Sequence, residues 1–333
     1  MRRWIIAAAA AAVFLAPSAV SAQAPILIKF SHVVAPNTPK GKAAEKFKEL
    51  AEKYTNGKVK VEVYNNSTLY KDKEELEAMQ LGAVQMLAPS NSKFGPIGIK
   101  DFEVFDLPFL LPNLTALRKV TEGPIGQKML KQLEPKGMVG LAYWDNGFKQ
   151  MSANKPLRMP ADYKGLKFRI QSSKVLEAQF RALGAIPQVT AFSEVYQALQ
   201  TGVVDSCENT PSNYLTQKFY EVQKDITVSY HAHLQYAVIV NSKFWDGLPA
   251  DVRGQLQKAM DDATDYTNSI AKKENEDALA EIKKSGKTTL HYLTPEQKTA
   301  WQEAMRPTYK WAKGRVGGEI LDLISKELNV KTN

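Results

Sequence analysis

Arg169, Lys149 and Lys40 are the residues of this 333-residue chain whose type and placement offer the clearest chemistry. Arg169 lies near the end of a run, 166–170, that reads as a strand, so its guanidinium can reach into a cleft beyond the strand end. Such a planar fork binds a carboxylate through two parallel hydrogen bonds, which an ammonium group does not. Lys149, and Lys40 at the start of a predicted helix, can meet further anionic oxygens, and the N-terminus of that helix favours an anion as well. Ser90, Ser92, Asn146, Ser172, Asn209 and Asn213 are candidate neutral donors. The chemistry these residues offer is recognition of an organic anion. Each also has a plainer reading when taken alone. Arg169 fits a structural or surface arginine, and the lysines fit solvated charges. Tyr236 fits core or cleft wall, and His32 fits a structural strand-end histidine or a ligand contact.

Catalytic and metal chemistry find little material. No glycine-rich phosphate loop and no Gly-x-Ser-x-Gly elbow occurs. The sole cysteine, Cys207, lies between Asp205 and Glu208, a setting that raises a thiol pKa. It also excludes an internal disulfide framework or a multi-thiolate zinc site. His231-x-His233 could put two imidazoles on one side of a strand, but no carboxylate cluster accompanies them. No cofactor and no metal is expected, and no catalytic residue is assigned.

The positions of these residues depend on the elements around them. The segment 26–30 reads as a strand, 38–54 as an amphipathic helix with Thr38 or Asn37 as cap, and 58–64 as an alternating strand. A helix over 71–81 and a strand over 84–88 follow. This rhythm predicts an α/β lobe with a mostly parallel sheet. A second copy starts near Gly147, with strands at 166–170, 186–189 and 203–208 and helices at 173–183 and 192–200. The loops at 89–98, 144–149, 171–173 and 209–213 fall near strand ends, where open α/β sheets bind ligands. A helical stripe over 249–285 would extend about 50 Å, long enough to brace two lobes. A last helix follows Thr294.

Composition is that of a globular protein, 44% hydrophobic and 24% charged. Residues 1–22 read as a secretory signal: Arg2 and Arg3, an apolar run over 4–16, then Val20-Ser21-Ala22 before a cut. The run is shorter than the roughly 20 residues of a membrane span. The formal charge of +9 is spread along the chain without a basic block, which argues against nucleic acid as a partner. An exported protein that collects anions and plain solubility account for that charge equally well.

Two long segments carry a family resemblance. One is 162–172, which contains Gly165, Arg169 and Ser172. The other is 191–205, followed by Glu208-Asn209-Thr210-Pro211. Together they resemble the extracytoplasmic solute-binding subunits of tripartite ATP-independent periplasmic (TRAP) transporters, the DctP family, over essentially the whole mature chain. The stretches 39–45, 87–96 and 143–152 look most like the four-carbon dicarboxylate binders.

The resemblance implies a periplasmic-binding-protein-like α/β fold. It has two α/β lobes joined by a strand hinge, with a long helix spanning both. Lobe I is expected at 23–147 plus 236–273 and lobe II at 148–235 plus 274–328. The family's arginine falls on Arg169 and pairs with a substrate carboxylate. The second basic position falls on Lys149, where sialic-acid binders carry arginine, and the family's asparagine falls on Asn209. Ser172 and Pro89-Ser90 depart from the sialic-acid pattern and point to a smaller diacid such as succinate, fumarate or malate. The full expected ligand set is Arg169, Lys149, Asn209, Ser92, Ser172, Lys40, Ser90, Asn146, Asn213, Tyr236 and His32.

The function implied is non-enzymatic capture of a small dicarboxylate in the periplasm, after cleavage behind Ala22, and delivery to the membrane permease subunits. The same scaffold with a 2-oxo, hydroxy or aromatic acid is the nearest alternative, and an exported α/β enzyme is the next. A sensor kinase is a further partner that such a receptor could serve.

Overall fold

Thr38 starts the first long helix as the sequence predicts. Its side chain accepts from the Gly41 N–H, and Pro39 takes the first helical position. Asn56 and Gly57, both with positive φ, end that helix and turn the chain into the next strand. The computed structural model describes residues 24–72, 74–316 and 318–330; the expected export signal lies outside the described residues.

The elements run β1 (Ile26–Ser31), α1 (Pro39–Tyr54), β2 (Val59–Tyr64), α2 (Glu75–Gln80) and β3 (Met86–Leu87). Then come α3 (Leu114–Thr121), α4 (Pro124–Lys131), β4 (Met138–Phe148), β5 (Gln150–Ala153), β6 (Lys167–Ile170) and α5 (Lys174–Ala182). Next are β7 (Ile186–Val189), α6 (Val195–Gln200), β8 (Ser206–Asn209), α7 (Pro211–Thr216), β9 (Asp225–Val228) and β10 (His233–Asn241). The chain finishes with α8 (Ser242–Asp246), α9 (Ala250–Ser285), β11 (Thr289–Tyr292), α10 (Pro295–Lys313) and α11 (Gly318–Leu328).

Two sheets form, ordered β2-β1-β3-β10-β4 and β11-β9-β5-β8-β6-β7. Neither is as parallel as expected. β10 runs antiparallel to β3 and β4, and β5 runs antiparallel to β8 and β9. The reason is the connectivity. The chain passes between the sheets just after Phe148 and again between β9 and β10; β4, β5 and β10 at these crossings run against their neighbours, while β9 runs against β5 and parallel to β11. β4 and the helices α3 and α4 carry no signal that the sequence reading picked up. The expected helix at 71–81 begins at Glu75, which leaves Lys71 and Asp72 in the loop before it.

Each sheet has apolar cover on both sides. Phe47, Trp144 and Leu256 pack on one face of the first sheet, and Phe102, Met129 and Leu321 on the other. The second sheet is covered by clusters around Tyr214 and Phe219, and around Phe168, Phe180 and Trp301. The helix α9 joins both bodies: Val252, Leu256 and Met260 belong to the first core, and Ile282 belongs to the second. At the first crossing Gly147 has φ +107°, and a Cβ there would come within 2.4 Å of the Asn275 side chain. Asn275, on α9, donates to the Asn146 carbonyl at 2.8 Å and accepts from the Ser212 N–H at 3.0 Å. One helix side chain thereby holds the crossing strand and the start of α7 together.

Candidate functional site

Arg169 lies in β6 between Gln188 of β7 and Cys207 of β8, and its side chain is buried. Its Nε and Nη2 donate to the Thr190 carbonyl at 3.1 and 2.9 Å, and the guanidinium carbon is 5.9 Å from the Phe192 ring centre. It lines a small cavity of about 10 Å³ with Ser172, Thr190 and three further polar residues, Asp72, Lys93 and Gln171. A second cavity of about 20 Å³ adjoins it, lined by Lys40, Ser90, Asn209, Asn213 and Tyr236 and again by Asp72, Lys93 and Gln171. The walls come from both sheets, so the two cavities lie in the crevice between the lobes.

The first lobe supplies two lysines. Lys93 pairs with Asp72 and, at 2.6 Å, with Glu75. Burial opposes ionisation of Asp72, but the neighbouring Lys93 outweighs it and holds the carboxyl below its usual range. Burial pushes Glu75 up. Lys40 donates to the Ala88 carbonyl at 3.0 Å and stands 3.7 Å from the Tyr236 ring centre. Burial, and then repulsion from Lys93, lowers its pKa to about 7. Asn213 Nδ2 donates to Asn209 Oδ1 at 2.8 Å, so the two amides form one unit at the end of β8.

Lys149 lines neither of these cavities. Its Nζ is 2.6 Å from Glu208 and 3.6 Å from Asp106. Glu208 also meets His231 Nε2 at 2.7 Å, and His231 Nδ1 meets Ser229 Oγ at 2.8 Å. Burial disfavours the Glu208 carboxylate, yet Lys149 and His231 bring its pKa down to about 2. Burial lifts Asp106 to about 6. Ser92 donates to Asp106 at 2.7 Å and belongs to the same network. His32 is buried, its pKa lowered to about 3 mainly by burial, and Asn146 donates to Thr210 Oγ1 at 2.8 Å beside the hinge. Seven of the eleven expected side chains thus line the cavities: Arg169, Ser172, Lys40, Ser90, Asn209, Asn213 and Tyr236. Lys149, Ser92, Asn146 and His32 stand outside the lining.

Asp72, Lys93, Gln171 and Phe192 line the cavities and were not among the expected residues. Gln171 carried a usable signal, two residues after Arg169 at the same strand end. Lys93 lies in the expected ligand loop 89–98, where its charge taken alone reads as solvated; Asp72 fell inside the expected helix 71–81 and carried no signal. His231 falls before β10 rather than inside it, so the expected strand pair with His233 does not form; His233 packs instead on the Phe148 ring with 5.0 Å between ring centres. Among the described residues no group of three His, Cys, Asp or Glu could hold a metal ion. Cys207 is buried, and burial is the main cause that pushes its thiol up.

Comparison with known proteins gives consistent matches. The family model described as "Bacterial extracellular solute-binding protein, family 7" matches residues 30–314. The "C4-dicarboxylate-binding periplasmic protein DctP" of Rhodobacter capsulatus is 65% identical over 312 residues, 94% of each chain. A TRAP periplasmic solute-binding protein from Shewanella oneidensis, solved with bound succinate, is 45% identical. It superposes with a TM-score of 0.89 over 91% of this chain and 99% of that one. A Pseudomonas aeruginosa counterpart with bound L-malate is 46% identical, with a TM-score of 0.84 over 86% of this chain and 99% of that one.

Proposed function

The chain belongs to the family 7 bacterial extracellular solute-binding proteins, the DctP family, and from that premise we propose that it captures a four-carbon dicarboxylate between its lobes and hands it to a TRAP membrane permease. One observation carries the reading. Four buried cations surround the crevice: Lys40, Lys93, Lys149 and Arg169. Lys93 and Lys149 have carboxylates within ion-pair distance. Among the described residues, Arg169 and Lys40 have none that close, and their hydrogen bonds go to the neutral carbonyls of Thr190 and Ala88. One of these two lines each of the adjoining cavities. A buried cation without a counter-charge is destabilising, and an anion offsets that cost. Two such basic groups, one in each of two adjoining cavities, suit two carboxylates on one short molecule.

On this reading Arg169 forks one carboxylate, with Ser172 beside it. Lys40 takes the other, and Ser90, Asn209, Asn213 and Tyr236 offer neutral contacts. Lys149 acts from outside the lining, holding Glu208 and Asp106 charged and paired. Lobe I is 23–147 with 236–273 and lobe II is 148–235 with 274–328, the C-terminal helix reaching back over the first. Capture closes the lobes by a hinge motion at the two crossings. The chain works as a receptor without turnover, in the periplasm, after export and cleavage behind Ala22; N-terminal sequencing of the exported protein tests the cut. Co-purification with a membrane kinase would add a sensing role to transport.

Calorimetric titration of the mature protein with mono-, di-, 2-oxo, hydroxy and aromatic acids tests the central claim. A four-carbon diacid binds tightest. If no carboxylate binds at millimolar concentration, the reading falls.

A further inference from the structure

Three side chains line both cavities and so form the partition between them: Asp72, Lys93 and Gln171. The first two come from lobe I and pair with each other. Gln171 comes from lobe II, directly after β6. Its carboxamide is held by the opposite lobe at both ends. Nε2 donates to Ser90 Oγ at 2.7 Å, and Oε1 takes the longer branch, 3.3 Å, of a forked bond from the Ser92 hydroxyl. Neither serine is free to follow a displaced amide. Ser90 forms an antiparallel bridge with Tyr236, and Ser92 also donates to Asp106 at 2.7 Å.

We infer that Gln171 sets the length of the ligand. The inference rests on the reading that a diacid has one carboxylate at Arg169 and the other at Lys40. The carbon chain between them must then pass the Gln171 amide. The bond from Gln171 to Ser90 re-forms around the ligand only if that chain is short enough to let the lobes meet. A longer diacid either keeps the amide away from Ser90 or displaces it from both serines, and leaves buried polar groups without partners. Unpaired polar groups of this kind discriminate far more strongly than a change in apolar contact alone. Glutamine suits this position better than its charged analogue. Glutamate would add a third negative charge beside two carboxylates, whereas the neutral amide supplies a donor and an acceptor at the same length. Asp72 is a poorer ruler, because removing it also strips Lys93 of a partner and changes affinity for every anion.

The test titrates wild type, Gln171→Ala and Gln171→Asn with straight-chain diacids of four, five and six carbons, with melting curves to confirm folding. Wild type prefers the four-carbon acid. In Gln171→Ala the ratio of four- to six-carbon affinity falls by about tenfold or more. Gln171→Asn, one methylene shorter with the same amide, falls between the two. The inference is overturned if the folded variants keep the wild-type ratio within about twofold, including the case in which they weaken all three acids equally. If Gln171→Ala does not fold, the asparagine variant decides by the same ratio. Wild type that binds no diacid overturns the functional reading itself, a result separate from an unchanged ratio.

Discussion

The Asp72 carboxylate accepts a hydrogen bond from the backbone N–H of Phe192 at 2.6 Å, across the crevice and 120 positions along the chain. The other oxygen of the same carboxylate holds Lys93. Beside it, at the surface, Lys71 meets Glu194 at 2.9 Å. Asp72 therefore connects the placement of a pocket lysine to the closeness of the two lobes.

Asp72→Ala removes a charge-assisted bond between the lobes and leaves Lys93 its second partner, Glu75. Such a bond contributes about 1.5–3 kcal/mol. Ligand release should quicken by about tenfold or more in stopped flow, and an interlobe distance measured between spin labels should lengthen. Lys71→Ala removes only a half-exposed pair, worth at most about 1 kcal/mol, and its effect should vanish at high salt. An unchanged release rate in Asp72→Ala would refute the latch.

Arg169→Lys keeps the charge and loses the fork. Diacid affinity should drop tenfold or more while the melting temperature stays close to wild type. Arg169→Met should cost about 2–5 kcal/mol of binding, roughly 30-fold to several thousandfold. Unaltered affinity in the lysine variant would mean that the guanidinium does not touch the ligand.

Lys40 has a folded pKa of about 7 against 10.5 for the free side chain, lowered first by burial and then by Lys93. Between pH 7 and 10.5 the unfolded chain binds more protons at this site. The lysine therefore costs stability at pH 7 and below, and the cost is relieved as pH rises from 7 towards 10.5. Lys40→Met should melt higher than wild type at pH 7, with the gap narrowing by pH 9, and should bind diacid more weakly. If Lys40 meets a ligand carboxylate as proposed, wild-type affinity should itself decline above pH 7, as its ammonium is lost. A Lys40→Met protein that melts lower at pH 7 contradicts this account.

Lys149 pairs with two buried carboxylates. Lys149→Met leaves Asp106 without a cation and Glu208 with His231 alone, and should destabilise the fold by about 3–5 kcal/mol, read by urea unfolding; adding Glu208→Gln should recover part of it. Glu208 has a folded pKa of about 2 against 4.5 for the free side chain. Its contribution is full above pH 4.5 and drains away as pH falls from 4.5 towards 2. Recovery of nothing in the double variant would show that the pair is not the source of the loss.

The strand ends were the legible part of the site. Asn209 closes β8 and Arg169 is the last residue but one of β6 in the same sheet, and chemistry at such ends converges in space whatever the details of packing. The cap at Thr38 and the apolar stripe of α9 were readable for a similar reason: each depends on residues within a few positions of one another. The surroundings of Lys149 were not legible: Glu208 arrives beside it, 2.6 Å away, through the antiparallel pairing of β5 with β8.

By itself the sequence determined the α/β rhythm, the bracing helix and the family to which the chain belongs, because periodicity and ordered motifs are local properties. Only the tertiary structure decided which charges face the crevice and which pair with each other. Asp72 stands beside Phe192, and Gln171 beside Ser90, because two separately built sheets come together at a pair of crossings. Contacts of that kind depend on the relative placement of whole lobes, which no short window of residues encodes.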